Sequence, residues 1–276
     1  MKPLFIWAGG KTKMLKHYEP LMPSQNIESY SEPFFGGGAM FLYVMKRYQP
    51  KLVHINDINE GITSIYKYIK TDVDDFCAVL DKYSAEFLPL SREDRKEYFY
   101  NLRGENAWDY QKWTPLHQSA VLYFLMKTGF NGIWQINKNT NNRYGTPSGL
   151  LNQKDKVYDK ENVAQWSHLL NTTQSIITTY DWREVPLRDF TFYDPPYRNS
   201  FADYNTAFDD TETEALITRV EENKNVWLCN RDSGDGFFEN RKAILKKFPV
   251  TYTAGRRKKT EEGFEAKKAT EILLYN

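Results

Sequence analysis

Long apolar runs are missing from this chain, and with them any segment able to cross a bilayer as a helix. Metal ligands are scarce. There are four histidines and two cysteines, none grouped at metal-ligand spacing, so no structural zinc is expected. Cys77 and Cys229 each sit in an apolar stretch. They read as buried free thiols rather than a disulfide, which suits a reducing cytoplasm. The start, Met1 to Gly10, is short, glycine-bearing and soon basic, unlike a signal peptide. There is no G-x-G-x-x-G fingerprint, which counts against a nicotinamide cofactor, and no P-loop. No internal repeat is evident. Excess charge is absent too: 37 Lys and Arg against 36 Asp and Glu leave +1, which argues against a uniformly basic nucleic-acid protein.

The charge is unevenly spread, however. Basic residues gather in Lys2 to Lys16, Lys127 to Lys160 and Arg256-Arg257-Lys258-Lys259, and acidic ones in Asp203 to Glu222. Each cluster alone reads as a solvated face, yet a neutral chain can still present one basic side. The 276 residues, 41% hydrophobic, suffice for one large α/β domain or a domain with an insertion. Aromatics reach 16%, and some lie in polar stretches such as Tyr98-Phe99-Tyr100 and Trp108-Asp109-Tyr110. Most read as core, while a few could stack on bases.

Apolar runs bounded by turn residues predict strands at Ser29 to Ser31 leading into Glu32, Leu52 to Ile58, Phe190 to Tyr193, Val226 to Cys229, Val250 to Thr253 and Glu271 to Tyr275. Helical patterns cover Ala39 to Arg47, Glu60 to Lys70, Val73 to Tyr83, Glu212 to Glu221 and Phe237 to Lys247. The alternation implies a mostly parallel sheet with helices on both faces. It breaks between about residues 87 and 170. That stretch is expected to be an insertion, chiefly helical, with one amphipathic helix over Leu116 to Lys127 and an exposed hairpin around the 138–142 turn. Residues 1–86 and 171–276 then form the α/β domain.

Two motifs carry the chemistry. Glu32-Pro33-Phe34-Phe35-Gly36-Gly37-Gly38 is a strand, a glycine loop and then a helix. Its glycines allow close backbone approach to a ligand. Asp57, at the tip of the next strand, is placed to bind the two ribose hydroxyls of a nucleoside. A glycine loop alone is weak evidence. Tyr193-Asp194-Pro195-Pro196-Tyr197 says more. A purine amino group is a poor nucleophile because its lone pair is delocalised into the ring. Two acceptors aimed at its N–H bonds, the Asp194 carboxylate and the Pro195 carbonyl, localise that lone pair. Pro195 and Pro196 stiffen the turn, and Tyr197 can stack on the base.

With these motifs the chain resembles the Dam-like DNA adenine-N6 methyltransferases, which use S-adenosylmethionine. Phe34-Phe35-Gly36-Gly37-Gly38 fits their F-x-G-x-G motif. Trp7-Ala8-Gly9-Gly10-Lys11 resembles their W-x-G-(G/N)-K segment, which lies against the cofactor with the Lys near its methionine end. Tyr180-Asp181-Trp182 is similar to their third cofactor segment, where the Asp meets the adenine. The resemblance implies a Rossmann-like class I methyltransferase sheet of six or seven mixed strands. It implies a cofactor site drawn from Trp7, Ala8, Gly9, Gly10, Lys11, Glu32, Pro33, Phe34, Phe35, Gly36, Gly38, Asp57, Asp181, Trp182 and Asp194, with S-adenosylhomocysteine as product.

Thr128-Gly129-Phe130-Asn131-Gly132-Ile133-Trp134-Gln135-Ile136-Asn137, with Gly145 to Gly149, is similar to the family's recognition hairpin. The resemblance implies that Phe130 wedges into duplex DNA, flanked by Asn131 and Gly132, while Gln135 and Asn137 approach base edges and Lys13, Pro147, Arg256 and Arg257 add contacts. Phe130 could equally close a small hydrophobic cluster. Gln135 stands where the family often has a guanine-reading Arg, and Leu150 where a basic residue is common. Gln pairs with adenine, which counts against GATC and leaves a short adenine-containing site. Asn230-Arg231-Asp232 and Arg256-Arg257 match later family segments. Asp194 favours adenine-N6 and leaves open cytosine-N4, RNA, or a relative that binds DNA without turnover. The expectation is a monomer acting on double-stranded DNA, with no membrane and no obligate protein partner, in the cytoplasm of a bacterial or phage-infected cell.

Overall fold

The structure is a computed structural model describing residues 1–7, 9–106, 113–132, 134–137, 143–149, 156–198, 208–252, 258–260, 263–265 and 267–276. Ala8, Ile133, the 138–142 turn, Leu150, Arg256 and Arg257 lie outside the described residues, and Asn137 is described through its backbone alone. The strands are β1 (Ser29–Glu32), β2 (Leu52–Asn56), β3 (Ile136–Asn137), β4 (Arg143–Tyr144), β5 (Gln174–Thr178), β6 (Phe190–Tyr193), β7 (Val226–Asp232), β8 (Ile244–Tyr252), β9 (Lys258–Thr260), β10 (Gly263–Glu265) and β11 (Lys267–Tyr275). The α-helices are α1 (Leu15–Tyr18), α2 (Ala39–Tyr48), α3 (Glu60–Thr71), α4 (Val73–Phe87), α5 (Arg92–Asn101), α6 (Pro115–Thr128), α7 (Lys160–Thr172) and α8 (Asp210–Glu222).

Seven strands form one mixed sheet in the order β5-β2-β1-β6-β7-β11-β8. The first five are parallel, and β11 runs antiparallel to both β7 and β8. Both faces are covered, as the alternation along the central strands shows. Trp227, Cys229 and Leu273 enter one buried cluster, while Val226, Leu228, Ile272 and Leu274 enter a second, with Leu216 and Val220 of α8. Successive strand residues point to opposite faces, so an all-apolar run marks a strand buried on both.

The interior beneath residues 87–170 is continuous with that of the sheet, since Phe99 and Phe124 join the same buried cluster as Val53 and Phe192. Helix α6 packs on α3 and α4, and α7 packs on α3. The expected amphipathic helix here is instead buried on all sides, with Gln118 through Met126 enclosed. Its pattern looked one-sided because Gln118 and Ser119 are polar, yet both are covered.

The helix expected over Phe237 to Lys247 does not form. Turns lead to Ala243, and Ile244–Tyr252 is strand β8, paired with β11 along its whole length. Phe237, Phe238, Arg241 and Leu245 mimic helical spacing, but pairing with a distant strand outweighs that local signal. Strand β5 escaped the sequence reading because Gln174, Ser175 and Thr178 dilute its two isoleucines. Asn230, Arg231 and Asp232 lie inside the end of β7 rather than after it. Among the described residues no helix is long and apolar enough to cross a membrane, and Cys77 and Cys229 are both free and buried.

Candidate active site

Strand order reverses between β1 and β6, and a crevice must open where the following connections diverge. Four carboxylates gather at that edge. Glu32 ends β1, Asp57 follows β2, Asp181 lies three residues past β5, and Asp194 follows β6. All four line one cavity of about 1180 Å³ with Lys11, the glycine loop and Tyr197. Pockets for drug-sized ligands measure roughly 300–1,000 Å³, so this space has room for a cofactor and a base together. Lys2, Lys13, Lys16, Lys127 and Arg231 also line it, giving the acid-floored cavity a cationic margin.

Asn56 ties three strand ends together at this edge. Its Nδ2 donates to the Pro33 and Tyr180 carbonyls, and its Oδ1 accepts from the Thr178 hydroxyl and the Tyr180 amide. The glycine loop is shaped by Trp7. A Cβ on Gly36, whose φ is +49°, would lie 2.5 Å from the Trp7 Nε1. The indole therefore occupies the space a side chain would need. Trp7 also packs against Trp134, ring centroids 5.9 Å apart, which joins the glycine loop to the hairpin.

Asp57 accepts from the Gly36 amide at 2.9 Å and from the Asn59 amide at 2.9 Å, bracing the loop from below. Burial raises its pKa from 3.8 to about 6, although both amides pull the other way. Burial likewise pushes the Glu32 carboxyl well above its ordinary range. The Tyr30 hydroxyl, donating at 2.8 Å, opposes that shift, and the Asp194 carboxylate reinforces it. Asp181 caps the short turn Trp182–Glu184, accepting from the Arg183 amide and side chain. Trp182 is buried, donating from Nε1 to Glu212 at 3.0 Å, and Phe34 packs between it and Phe208.

The chemical end centres on Asp194. The Lys11 Nζ donates to both its oxygens at 2.6 Å, to the Tyr197 hydroxyl at 2.7 Å and to the Gly9 carbonyl at 2.6 Å. Lys11 is only 2% exposed. Burial penalises its ammonium, but Asp194 leads the nearby groups that hold its pKa well above the ordinary lysine value. The Gly10 amide closes the preceding turn onto the Trp7 carbonyl, and Gly9 takes φ +80°. Pro195 is buried, whereas Pro196 and Tyr197 are half-buried against the cavity.

Phe130 is 40% exposed on the turn after α6, and Asn131 beside it has φ 51° and reaches the cavity margin. The Phe130 amide donates to the Pro147 carbonyl, and Gln135 is held at Thr146 by its own amide. Strands β3 and β4 pair antiparallel, with Gln135 and Pro147 exposed beside them. Lys13 is exposed on the cavity margin.

Two residues, Ile58 and Arg198, escaped the sequence reading, and Tyr180 was read only as the first residue of the Tyr180-Asp181-Trp182 segment. Ile58 and Tyr180 are 47% and 48% exposed, follow β2 and β5, and line the cavity. Their signal was an apolar side chain just past a strand end. Arg198 directly follows Tyr197, is buried, and clamps Asp210 at 2.6 Å and Asp235 at 3.0 Å under the Phe237 ring. An arginine beside the Asp-Pro-Pro-Tyr run with acids downstream was the available cue.

A seven-stranded sheet with β11 reversed, a glycine loop after β1 and the Asp-Pro-Pro-Tyr run after β6 define a class I methyltransferase fold. The chain belongs to the D12 class N6 adenine-specific DNA methyltransferases, whose family profile matches residues 7–249. It is similar to the Type II methyltransferase M.MjaIII of Methanocaldococcus jannaschii, 33% identical over 227 residues, 78% of this chain and 77% of that protein. The Type II methyltransferase M.CviBI of Paramecium bursaria Chlorella virus NC1A is 30% identical over 234 residues, 83% of this chain and 82% of its own. The Type II methyltransferase M1.LlaDCHI of Lactococcus lactis subsp. cremoris is 25% identical over 289 residues, 100% of this chain and 95% of its own. Enzymes of such a family act on DNA and use a methyl donor.

Proposed function

We propose that this chain moves a methyl group from S-adenosylmethionine to N6 of an adenine turned out of duplex DNA, leaving S-adenosylhomocysteine. The observation that carries the reading is Asp194, poised at the strand-order reversal in the same cavity as the glycine loop.

The cavity suits that cofactor. Its acids complement a cationic sulfonium and an ammonium, and its loop excludes any Cβ at Gly36. Asp57 would accept the ribose hydroxyls, and Ile58 and Tyr180 offer apolar faces for adenine, with Asp181 and Trp182 beside them. Trp7, Gly9, Gly10, Glu32, Pro33, Phe34, Phe35 and Gly38 shape the walls, and Lys11 joins them to Asp194. When bound, the cofactor supplies an electrophilic methyl group.

The protein's part is to prepare the nitrogen. Asp194 and the Pro195 carbonyl accept the two N–H bonds, and Tyr197 stacks on the base. In the resting site Lys11 engages both carboxylate oxygens, and the incoming amine donates to a lone-pair position that Lys11 leaves open. The N–C bond forms as the S–C bond breaks, in line, which needs chiefly proximity and alignment. The alkylated nitrogen is acidic and then sheds its proton.

Residues 87–170 would recognise the site, and residues 1–86 with 171–276 would bind cofactor and catalyse. Turning a base out of a duplex costs a few kcal/mol. Phe130, exposed beside the cavity, would fill the gap, with Asn131 and Gly132 shaping its turn and Gln135, Asn137 and Pro147 facing bases. Lys13, Lys16 and Lys127, with Arg256 and Arg257, would neutralise phosphates. The chain would act as a monomer: among the exposed large hydrophobics of the described residues, Ile6, Ile58 and Tyr180 line the cavity rather than form an outer patch.

Phe130→Ala is expected to weaken duplex binding, and Gln135→Ala to relax base preference by about 1–3 kcal/mol at one position. Neither should alter cofactor affinity. Titrations showing unchanged DNA affinity and site preference would remove the hairpin from recognition. Cofactor affinity should also depend on pH. The Asp57 carboxylate, not the acid, accepts from hydroxyls, so affinity rises as pH climbs through about 6. Calorimetry between pH 5 and 8 should show this rise, and Asp57→Asn should flatten it. For folding, the same group has the opposite sign. Its contribution is fully present below 3.8 and is lost as pH rises through about 6.

The function itself is tested by single-molecule sequencing of DNA from a methylation-free bacterial host that expresses the chain, with Asp194→Ala as control. N6-methyladenine in one short motif, absent from the control, is the expected result. Unmodified DNA alongside soluble, cofactor-binding protein would overturn it.

A further inference from the structure

Cys229 has no part in the steps above. It pairs with Leu273 across β7 and β11 and is wholly buried. Its side chain reaches the end of β6, where Sγ lies 3.2 Å from the Asp194 Oδ1 and 3.4 Å from the Tyr193 carbonyl oxygen. Burial first, and the Asp194 carboxylate next, hold the thiol far above its ordinary pKa, so the sulfur keeps its proton and donates. One proton faces two acceptors. The carboxylate is both nearer and charged, and charge-assisted bonds are the stronger kind.

Among the described residues, one contact makes the geometry at Asp194 asymmetric. Lys11 lies 2.6 Å from each oxygen and cannot tell them apart. Cys229 contacts Oδ1 alone. A carboxylate oxygen offers about two lone-pair positions. Oδ1 accepts from Lys11 and from the thiol, whereas Oδ2 accepts from Lys11 only. The terminal torsion of an aspartate is broad, so without the thiol the carboxylate plane could turn away from the orientation in which its other oxygen faces an incoming amine.

We propose that Cys229 is a positioning residue for methyl transfer: its thiol fixes Oδ1, so that Oδ2 is the oxygen presented to the amino group of the target base. The inference rests on Asp194 being the acceptor, as proposed above. Cys229 touches neither base nor cofactor and acts through the carboxylate.

Cys229→Ser, Cys229→Val and Cys229→Ala in the full chain separate this role from packing. The measurements are steady-state methylation of duplex DNA, cofactor affinity and thermal unfolding. Serine keeps a donor and should hold kcat within about threefold. Valine has nearly the same shape and no donor. It should lower kcat about tenfold, the scale of one hydrogen bond to a charged group, with both KM values unchanged. A packing role predicts the reverse order, with the apolar isostere tolerated and the buried hydroxyl worse. Valine at wild-type kcat, or serine falling as far as valine, overturns the inference. If valine does not fold, alanine carries the same comparison against serine. A wild-type protein that methylates no DNA adenine would instead fail the reading of the site, and the inference with it.

Discussion

Asp194→Ala should lower methyl transfer by about 10²–10³-fold, because the amine then loses the charged acceptor that localises its lone pair, an effect of the size seen when one preorganised polar group is removed. Asp194→Asn should fall less, by about 10–10²-fold, since an amide oxygen still accepts one N–H bond without the charge. The alanine variant carries a second cost. Lys11 is buried at the centre of the pair, and removing its carboxylate strands an ammonium that keeps only the Gly9 carbonyl and the Tyr197 hydroxyl. Breaking a buried pair costs about 3–5 kcal/mol, and Asp194, 19% exposed, puts this case at the low end. The thermal midpoint should therefore drop for Ala more than for Asn. Cofactor affinity, measured below the midpoint, should stay within about threefold for both. Loss of cofactor binding in the Asn variant would remove Asp194 from the acceptor role.

Gly38→Ala should lower the stability of the fold markedly. Gly38 opens α2 with φ +69°, in the left-handed region. A Cβ there would lie 2.8 Å from the Phe35 Cζ and 2.9 Å from the Trp166 Cη2. Both rings are buried and packed against Tyr66, so neither can give way cheaply. The left-handed conformation costs about 1–2 kcal/mol for a residue with a Cβ, and overpacking adds about 1–3 kcal/mol. A sum near 3 kcal/mol predicts a midpoint lower by roughly 6–12 °C. Gly37→Ala is the control. Its nearest contact is the Trp7 Cβ at 3.1 Å, with no positive φ, so it should lose far less. Equal midpoints for the two variants would show that the left-handed start of α2 is not what demands glycine at position 38.

The family and the outline of the sheet were legible because strands buried on both faces read as apolar runs. Phe190 to Tyr193 and Val226 to Cys229 show this, and both belong to the sheet. The glycine loop and the Asp-Pro-Pro-Tyr run were legible because each is a contiguous stretch whose backbone chemistry is local. The first part of strand β8, Ile244 to Lys247, was misread as helix, while Val250 to Tyr252 was read as strand, because the strand's identity comes from pairing with β11, a partner that lies beyond the 253–266 connection. Helix α6 was misread as one-sided because burial of Gln118 and Ser119 depends on α3 and α4 closing over them.

The amino-acid sequence by itself determined the family, the switch-point acids and the residue types of the chemical motif, since each is written in adjacent residues with a local physical consequence. Only the tertiary structure decided how those pieces meet. Lys11 and Asp194 are separated by 183 residues, yet their charged atoms are 2.6 Å apart. The Trp7 indole takes the volume that makes Gly36 obligatory, and Cys229 sets two equivalent oxygens apart. Contacts of that kind arise from the order in which parallel strands stack, and strand order is a property of long-range pairing that no short stretch of residues encodes.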